Sequence, residues 1–123
     1  MRKTVKLVIA TSTVALLLGS MALVPKVASA DEATLVTQGK KIAENRKEGN
    51  CFACHSYKGA YLPGNVGPPL VNIKTRFPDE AKLRAQIWDA TKANPNTMMP
   101  PFGRHEILSN KEIDAVTAWV YTL

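Results

Sequence analysis

The pentapeptide Cys51-Phe52-Ala53-Cys54-His55 constrains this chain more than any other feature. The sequence holds two cysteines in 123 residues, and both sit here, three positions apart, with an imidazole directly after the second. Whatever the chain folds into has to place two sulfurs and a ring nitrogen within about one turn of backbone.

Three chemistries use such a pair. A thioredoxin-like redox dithiol needs a βαβ context, and no run of β-branched alternation follows the motif. A zinc site built with His55 and His105 would make a chelating pair of the adjacent Cys54 and His55, and standard zinc spacings carry a second pair further along. The third reading, Cys-x-x-Cys-His, is the attachment signal of a c-type haem. The two thiols add to the two haem vinyl groups, so their spacing is fixed by the vinyls, and His55 reaches the iron from the same face. We therefore expect one covalent haem c, with thioethers at Cys51 and Cys54 and His55 as an axial iron ligand.

The first thirty residues look unlike the rest. Arg2, Lys3 and Lys6 precede an apolar run from Leu7 to about Val24, and Ala28-Ser29-Ala30 fits a small-x-small cleavage site. Residues 1–30 read as a cleaved secretory signal and residues 31–123 as the working domain, with export to the periplasm, where covalent haem assembly takes place. An uncleaved anchor is the alternative, because about 18 apolar residues can span a bilayer. Export also removes most of the charge. The full chain carries 16 basic and 10 acidic residues, four of the basic ones (Arg2, Lys3, Lys6, Lys26) lie in the signal, and the remainder is 12 − 10 = +2. That balance and the lack of a basic helix face argue against nucleic acid as a partner. A domain of 93 residues (123 − 30) buries only roughly 60–65% of its unfolded surface, so a large apolar cofactor is a natural aid to folding.

Around the motif the pattern is helical. Leu35, Val36, Gly39, Ile42 and Ala43 recur at helical spacing within residues 32–49, with Gly49 as a stop. Gly39 in a helix interior costs about 1 kcal/mol against alanine, which a close helix crossing would justify. Residues 56–77 lack periodicity and are punctuated by Gly59, Pro63, Gly64, Gly67, Pro68 and Pro69. Wrapping a cofactor accounts for so long a loop. Pro68 offers a carbonyl and no donor, so it suits the free Nδ1–H of His55, a bond that fixes the ring and raises its basicity. A second helix is expected from Asp79, as cap, to Asn94-Pro95, with Leu83, Ile87, Trp88 and Ala90 on its apolar face and Trp88 in the core. Ser109 to Glu112 form a capping box, Leu108 can staple onto Ile113, and Ile113, Val116, Trp119, Val120 and Leu123 make one stripe. Trp119 is expected near Gly39 or at the haem edge. The fold class is all-α, with three main helices and long haem-facing loops, preceded by a signal-peptide helix.

A second axial ligand has three candidates outside the signal, Met98, Met99 and His105. Methionine with histidine gives a six-coordinate electron carrier of raised potential. The stretch Thr97-Met98-Met99-Pro100-Pro101 is stiff, and Met99, braced directly by the prolines, is the favoured ligand. Chemistry alone leaves Met98 open. Phe102 to His105 are expected to border the exposed haem edge and a partner.

"CFACH", "GPPL" and a late Met-Pro resemble class I cytochromes c. More narrowly, "GNVGPPLVNIKTRFPDEAKLRAQIWDATKANPNTMMPPFGRHEIL" resembles SoxX, the monohaem subunit family of the SoxAX sulfur-oxidation cytochromes, with "NPNTMMPPFGRH" its most specific part. The resemblance runs from about Gly49 to the C-terminus. It implies a class I cytochrome c fold, His55 and Met99 as axial ligands, and thioethers at Cys51 and Cys54. It also implies a SoxA-like partner subunit in an L-cysteine S-thiosulfotransferase complex, which couples thiosulfate oxidatively to a cysteine of a SoxY-type carrier and passes electrons to a downstream acceptor. Both cysteines here are used by haem, so no residue of this chain is assigned a catalytic role, and the sulfur site is expected on the partner. A free cytochrome c shuttling between respiratory complexes is the alternative.

Overall fold

In a computed structural model, which describes residues 28–123 with side chains from Asp31 onward, the described residues form helices and loops without a strand. Helix α1 spans Ala28–Glu44, and a single 3-10 turn covers Cys51–Ala53. Helix α2 is Ile73–Arg76, α3 is Glu80–Trp88, a second 3-10 turn is Ala90–Lys92, and α4 is Asn110–Val120. The expected secretory segment lies outside the described residues, apart from residues 28–30, which open α1.

The central packing is α1 against α4, and Gly39 sets its distance. A Cβ at position 39 would lie 1.9 Å from the Ala115 carbonyl oxygen and 2.9 Å from Cβ of Trp119. The crossing therefore requires glycine, which explains a residue that helix propensity disfavours. Of the two expected places for Trp119, the structure gives the one against Gly39. Its ring meets Phe52 and Tyr57 edge-on, with centroids 5.9 and 5.3 Å away. The Tyr57 hydroxyl donates to Glu44 at the end of α1, so this aromatic group ties the residues flanking the histidine to both long helices.

Helix α4 forms as its sequence dictates. The Ser109 side chain accepts from Glu112 N at 3.4 Å, and Glu112 Oε2 accepts from Ser109 N at 2.7 Å, completing the capping box. Ile113, Val116, Trp119 and Val120 are buried, and Leu108 joins them in one core with Ala43, Ile73, Leu83, Ile87 and Phe102. Thr117, the one buried hydroxyl of the helix, is satisfied by donating to the Ile113 carbonyl at 2.7 Å. Helix α3 starts with Asp79 accepting from Ala81 N at 2.9 Å, and buries Leu83 and Ile87.

Three boundaries differ from the sequence reading. Helix α1 stops at Glu44, before Gly49, because the Asn45 side chain accepts from Lys47 N at 2.9 Å and turns the chain out of the helix. Gly49 then folds back under the helix end, its N–H donating to Ile42 O at 3.1 Å. Helix α3 stops at Trp88, well before Asn94-Pro95, because Asp89 leaves the helical region and its side chain accepts from Thr91 N at 3.1 Å. Within the expected loop 56–77, Asn72 at φ 51° launches the short α2. Its one buried apolar residue, Ile73, gives no periodicity to read.

Candidate functional site

Asn50, at φ 44°, sends the chain into the turn that carries the cysteines. Backbone bonds from Ala53 N to Asn50 O (3.1 Å), Cys54 N to Cys51 O (3.2 Å) and His55 N to Cys51 O (2.9 Å) close it. In a 3-10 turn residues i and i+3 eclipse one another. That geometry puts Cys51 and Cys54 on one side, and both line the same cavity. The two cysteines are not bonded to each other.

The following loop is stitched back onto the turn. Gly64 N donates to Phe52 O (2.8 Å), Gly67 N to Cys54 O (2.8 Å) and Leu70 N to Ser56 O (2.7 Å). The stitching brings Pro68 over the histidine, with its carbonyl oxygen 2.7 Å from His55 Nδ1. A carbonyl only accepts, so Nδ1 carries the hydrogen and the lone pair of Nε2 is left free. Gly67 closes the arrangement, since a Cβ there would stand 2.5 Å from Cε1 of the ring. The neighbouring Pro69 carbonyl accepts from Arg76 Nη1 at 2.9 Å. Two prolines thus supply two acceptors, and both are used. The Arg76 contact escaped the sequence reading, because nothing in residue spacing relates position 76 to position 69.

Cys51, Cys54, His55 and Pro68 open onto a cavity of about 630 Å³ whose apolar walls include Leu70, Ile73, Leu83 and Phe102. Met98 and Met99 line it too. They differ in setting. Met98 is 79% exposed, whereas Met99 is half-buried against the core. The Met99 N–H donates to Thr97 Oγ1 at 3.2 Å. His105 does not line this cavity, and its Nε2 stands 3.5 Å from Arg104 Nη2 at the surface. Among the described residues no three His, Cys, Asp or Glu side chains gather as a metal-binding group, so the zinc alternative finds no second pair.

The segment after the prolines divides. Phe102 is buried and lines the cavity, while Gly103 packs on Trp88, where a Cβ would come within 2.1 Å of the indole. Arg104 pairs with Asp89 at 3.5 Å. Trp88, expected in the core, is half-buried, its face covered by Gly103 and by the Arg84 guanidinium 5.6 Å from the ring centroid.

The electrostatics of the turn suit an uncharged sulfur. Burial pushes the Cys51 thiol up to about 11, the reverse of what a reactive or metal-binding thiolate needs. A thioether has no charge to bury and fits such a wall. The cavity also has the size of a small-molecule or cofactor site, about 300–1,000 Å³. Two sulfurs, one oriented imidazole with a free nitrogen and an apolar enclosure fit a haem. When bound, haem supplies a one-electron iron couple.

An all-helical fold with this turn, this histidine and this cavity defines a c-type cytochrome domain, an electron-transfer haem protein. The family model described as cytochrome c oxidase, cbb3-type, subunit III, matches residues 34–120. The chain belongs to that cytochrome family. It is also similar to an uncharacterized lipoprotein of Aquifex aeolicus (strain VF5), 30% identical over 76 residues, which is 61% of this chain. The match spans 37% of that relative's length. Among the described residues no helix is long and apolar enough to cross a membrane.

Proposed function

We propose that this chain is a periplasmic cytochrome carrying one covalent haem c, bound through Cys51 and Cys54 with His55 and Met99 as axial ligands, and that it is the electron-accepting subunit of a SoxAX-type complex. The observation that supports the haem reading best is the convergence of both cysteines, the Pro68-oriented His55 and the half-buried Met99 on one apolar cavity. In this reading the chain's residues hold and orient. The turn fixes the sulfurs, Pro68 fixes the imidazole, and the proline-braced loop fixes the methionine against exchange. Leu70, Ile73, Leu83 and Phe102 exclude water, which strengthens the electrostatic interactions inside.

The resemblance of the loop Asn94–His105 to the SoxX family supports the finer assignment. So does the arithmetic of the chemistry. Joining thiosulfate to a carrier cysteine through a new S–S bond releases two electrons, and both cysteines of this chain line the cofactor cavity. The sulfur-bearing centre and a second electron acceptor then belong to the partner. Affinity capture of the tagged chain from the periplasm of thiosulfate-grown cells tests this. Co-purification of a second c-type cytochrome, with thiosulfate-coupling activity only when both are present, is the expected result. A monomeric chain that reduces and reoxidises without such a partner identifies a free electron carrier instead.

A further inference from the structure

Asp89 is a buried carboxylate, 3% exposed. Its two oxygens serve different residues. Oδ1 accepts from Thr91 N (3.1 Å) and Thr91 Oγ1 (2.5 Å). Oδ2 faces Nε of Arg104 at 3.5 Å. Thr91 and Arg104 lie at the two ends of the stretch that carries Met99. Backbone bonds from Gly103 N (3.0 Å) and Arg104 N (3.4 Å) to Trp88 O bring the far end back to the same point. Beyond it, Ile107 N and Leu108 N both donate to Phe102 O, at 2.9 and 3.1 Å, so the outgoing limb is a closed clip.

We propose that Asp89 is a clasp for the methionine loop: by holding Thr91 with one oxygen and Arg104 with the other, it closes the segment 91–104 into a ring and so positions Met99. The proposal rests on the reading of Met99 as an axial ligand. Asp89 and Arg104 are positioning residues, since neither lines the cavity. A carboxylate gives each end its own oxygen and supplies the charge that pairs with Arg104. The buried charge is compensated by two hydrogen bonds from Thr91 and by the Arg104 guanidinium, as such a group requires. The loop then loses little further entropy on engaging the cofactor, and a competing ligand has to displace a sulfur that is already in place.

The test uses the haem-loaded protein and titrates it with imidazole, which competes for the iron position held by methionine. Arg104 is half-exposed, so Arg104→Ala leaves the helices intact by far-ultraviolet circular dichroism. It raises imidazole affinity by roughly fivefold, the order a partly exposed ion pair can supply, and weakens the methionine–iron charge-transfer band. Arg104→Lys restores most of both. In an Asp89→Asn background, Arg104→Ala adds nothing further, because the two act through one interaction. Imidazole affinity unchanged by Arg104→Ala overturns the clasp, and so does an effect that persists in full in the Asp89→Asn background. Met99→Ala keeps the ligand reading separate. A charge-transfer band that survives it removes Met99 as ligand, and the premise with it, whatever Arg104 does.

Discussion

The carbonyl oxygen of Pro68 stands 2.7 Å from Nδ1 of His55, and the preceding residue, Gly67, approaches the imidazole so closely that a Cβ there would meet the ring. Substituting Pro68 leaves a carbonyl in place, so the neighbouring glycine is the better probe. Gly67→Ala puts a methyl 2.5 Å from Cε1 and forces the ring to move. The yield of haem-loaded protein is expected to fall by about tenfold or more, the range for groups that orient a metal-ligating histidine. The ratio of Soret to protein absorbance measures it.

Gly39→Ala tests the packing of α1 on α4. The added methyl meets the Ala115 carbonyl oxygen at 1.9 Å, and backbone cannot rotate aside as a side chain can. Helix propensity favours the substitution by about 1 kcal/mol, yet overpacking at a helix crossing costs about 1–3 kcal/mol or more. The expected net result is destabilisation, read by thermal melting of the loaded protein. A stabilised Gly39→Ala protein contradicts the close crossing.

These two glycines show what the sequence made legible and what it did not. Gly39 interrupts a helical pattern, so a close crossing could be anticipated from position 39 alone, and the capping box at Ser109 marked the start of α4 without help. The Cys-x-x-Cys-His turn and the acceptor role of Pro68 were readable because one needs fixed spacing and the other lacks a donor. Helix ends were misread at Asn45 and Asp89, where a side chain bonded two residues ahead ended the helix before the expected Gly or Pro stop. Such competition depends on tertiary fit and leaves no periodic trace. Of Phe102 to His105, expected to border the haem edge and a partner, Phe102 lines the cavity, Gly103 and Arg104 dock on the end of α3, and His105 stays at the surface. The Asp89–Arg104 and Pro69–Arg76 contacts join residues without any sequence relation, so only the fold reveals them.

Glu112 gives α4 an acid dependence. Its carboxylate accepts from the Ser109 backbone N–H, which, with the Ser109 side chain, holds its pKa below the usual glutamate value of 4.5. The unfolded chain therefore takes up this proton at higher pH than the folded chain does. The stabilisation is complete above the unfolded value and is lost as pH falls through the folded one. Glu112→Gln retains a capping partner but has no proton to gain, so its melting temperature falls less steeply than wild type below about pH 4.5. Asp89 is held low as well, chiefly by the Thr91 hydroxyl, so part of the acid slope remains. Ser109→Ala at neutral pH costs about 1 kcal/mol.

The two methionines are separable by spectrum. Met98, largely exposed, is expected to tolerate alanine with the charge-transfer band of the oxidised protein unchanged. Met99→Ala is expected to abolish the band and lower the reduction potential, since methionine ligation raises it. The reverse pattern makes Met98 the ligand.

Alkaline pyridine haemochrome spectroscopy of acid-acetone-extracted protein tests the central claim most directly. Acid acetone removes haem that is only coordinated and leaves haem held by thioethers. The colour is expected to stay with the polypeptide, at one haem per chain, with the haemochrome spectrum of two saturated vinyl positions, and Cys51→Ser is expected to shift this toward the spectrum of a single thioether. Haem that partitions into the solvent, or a chain that is colourless before extraction, contradicts covalent attachment at Cys51 and Cys54.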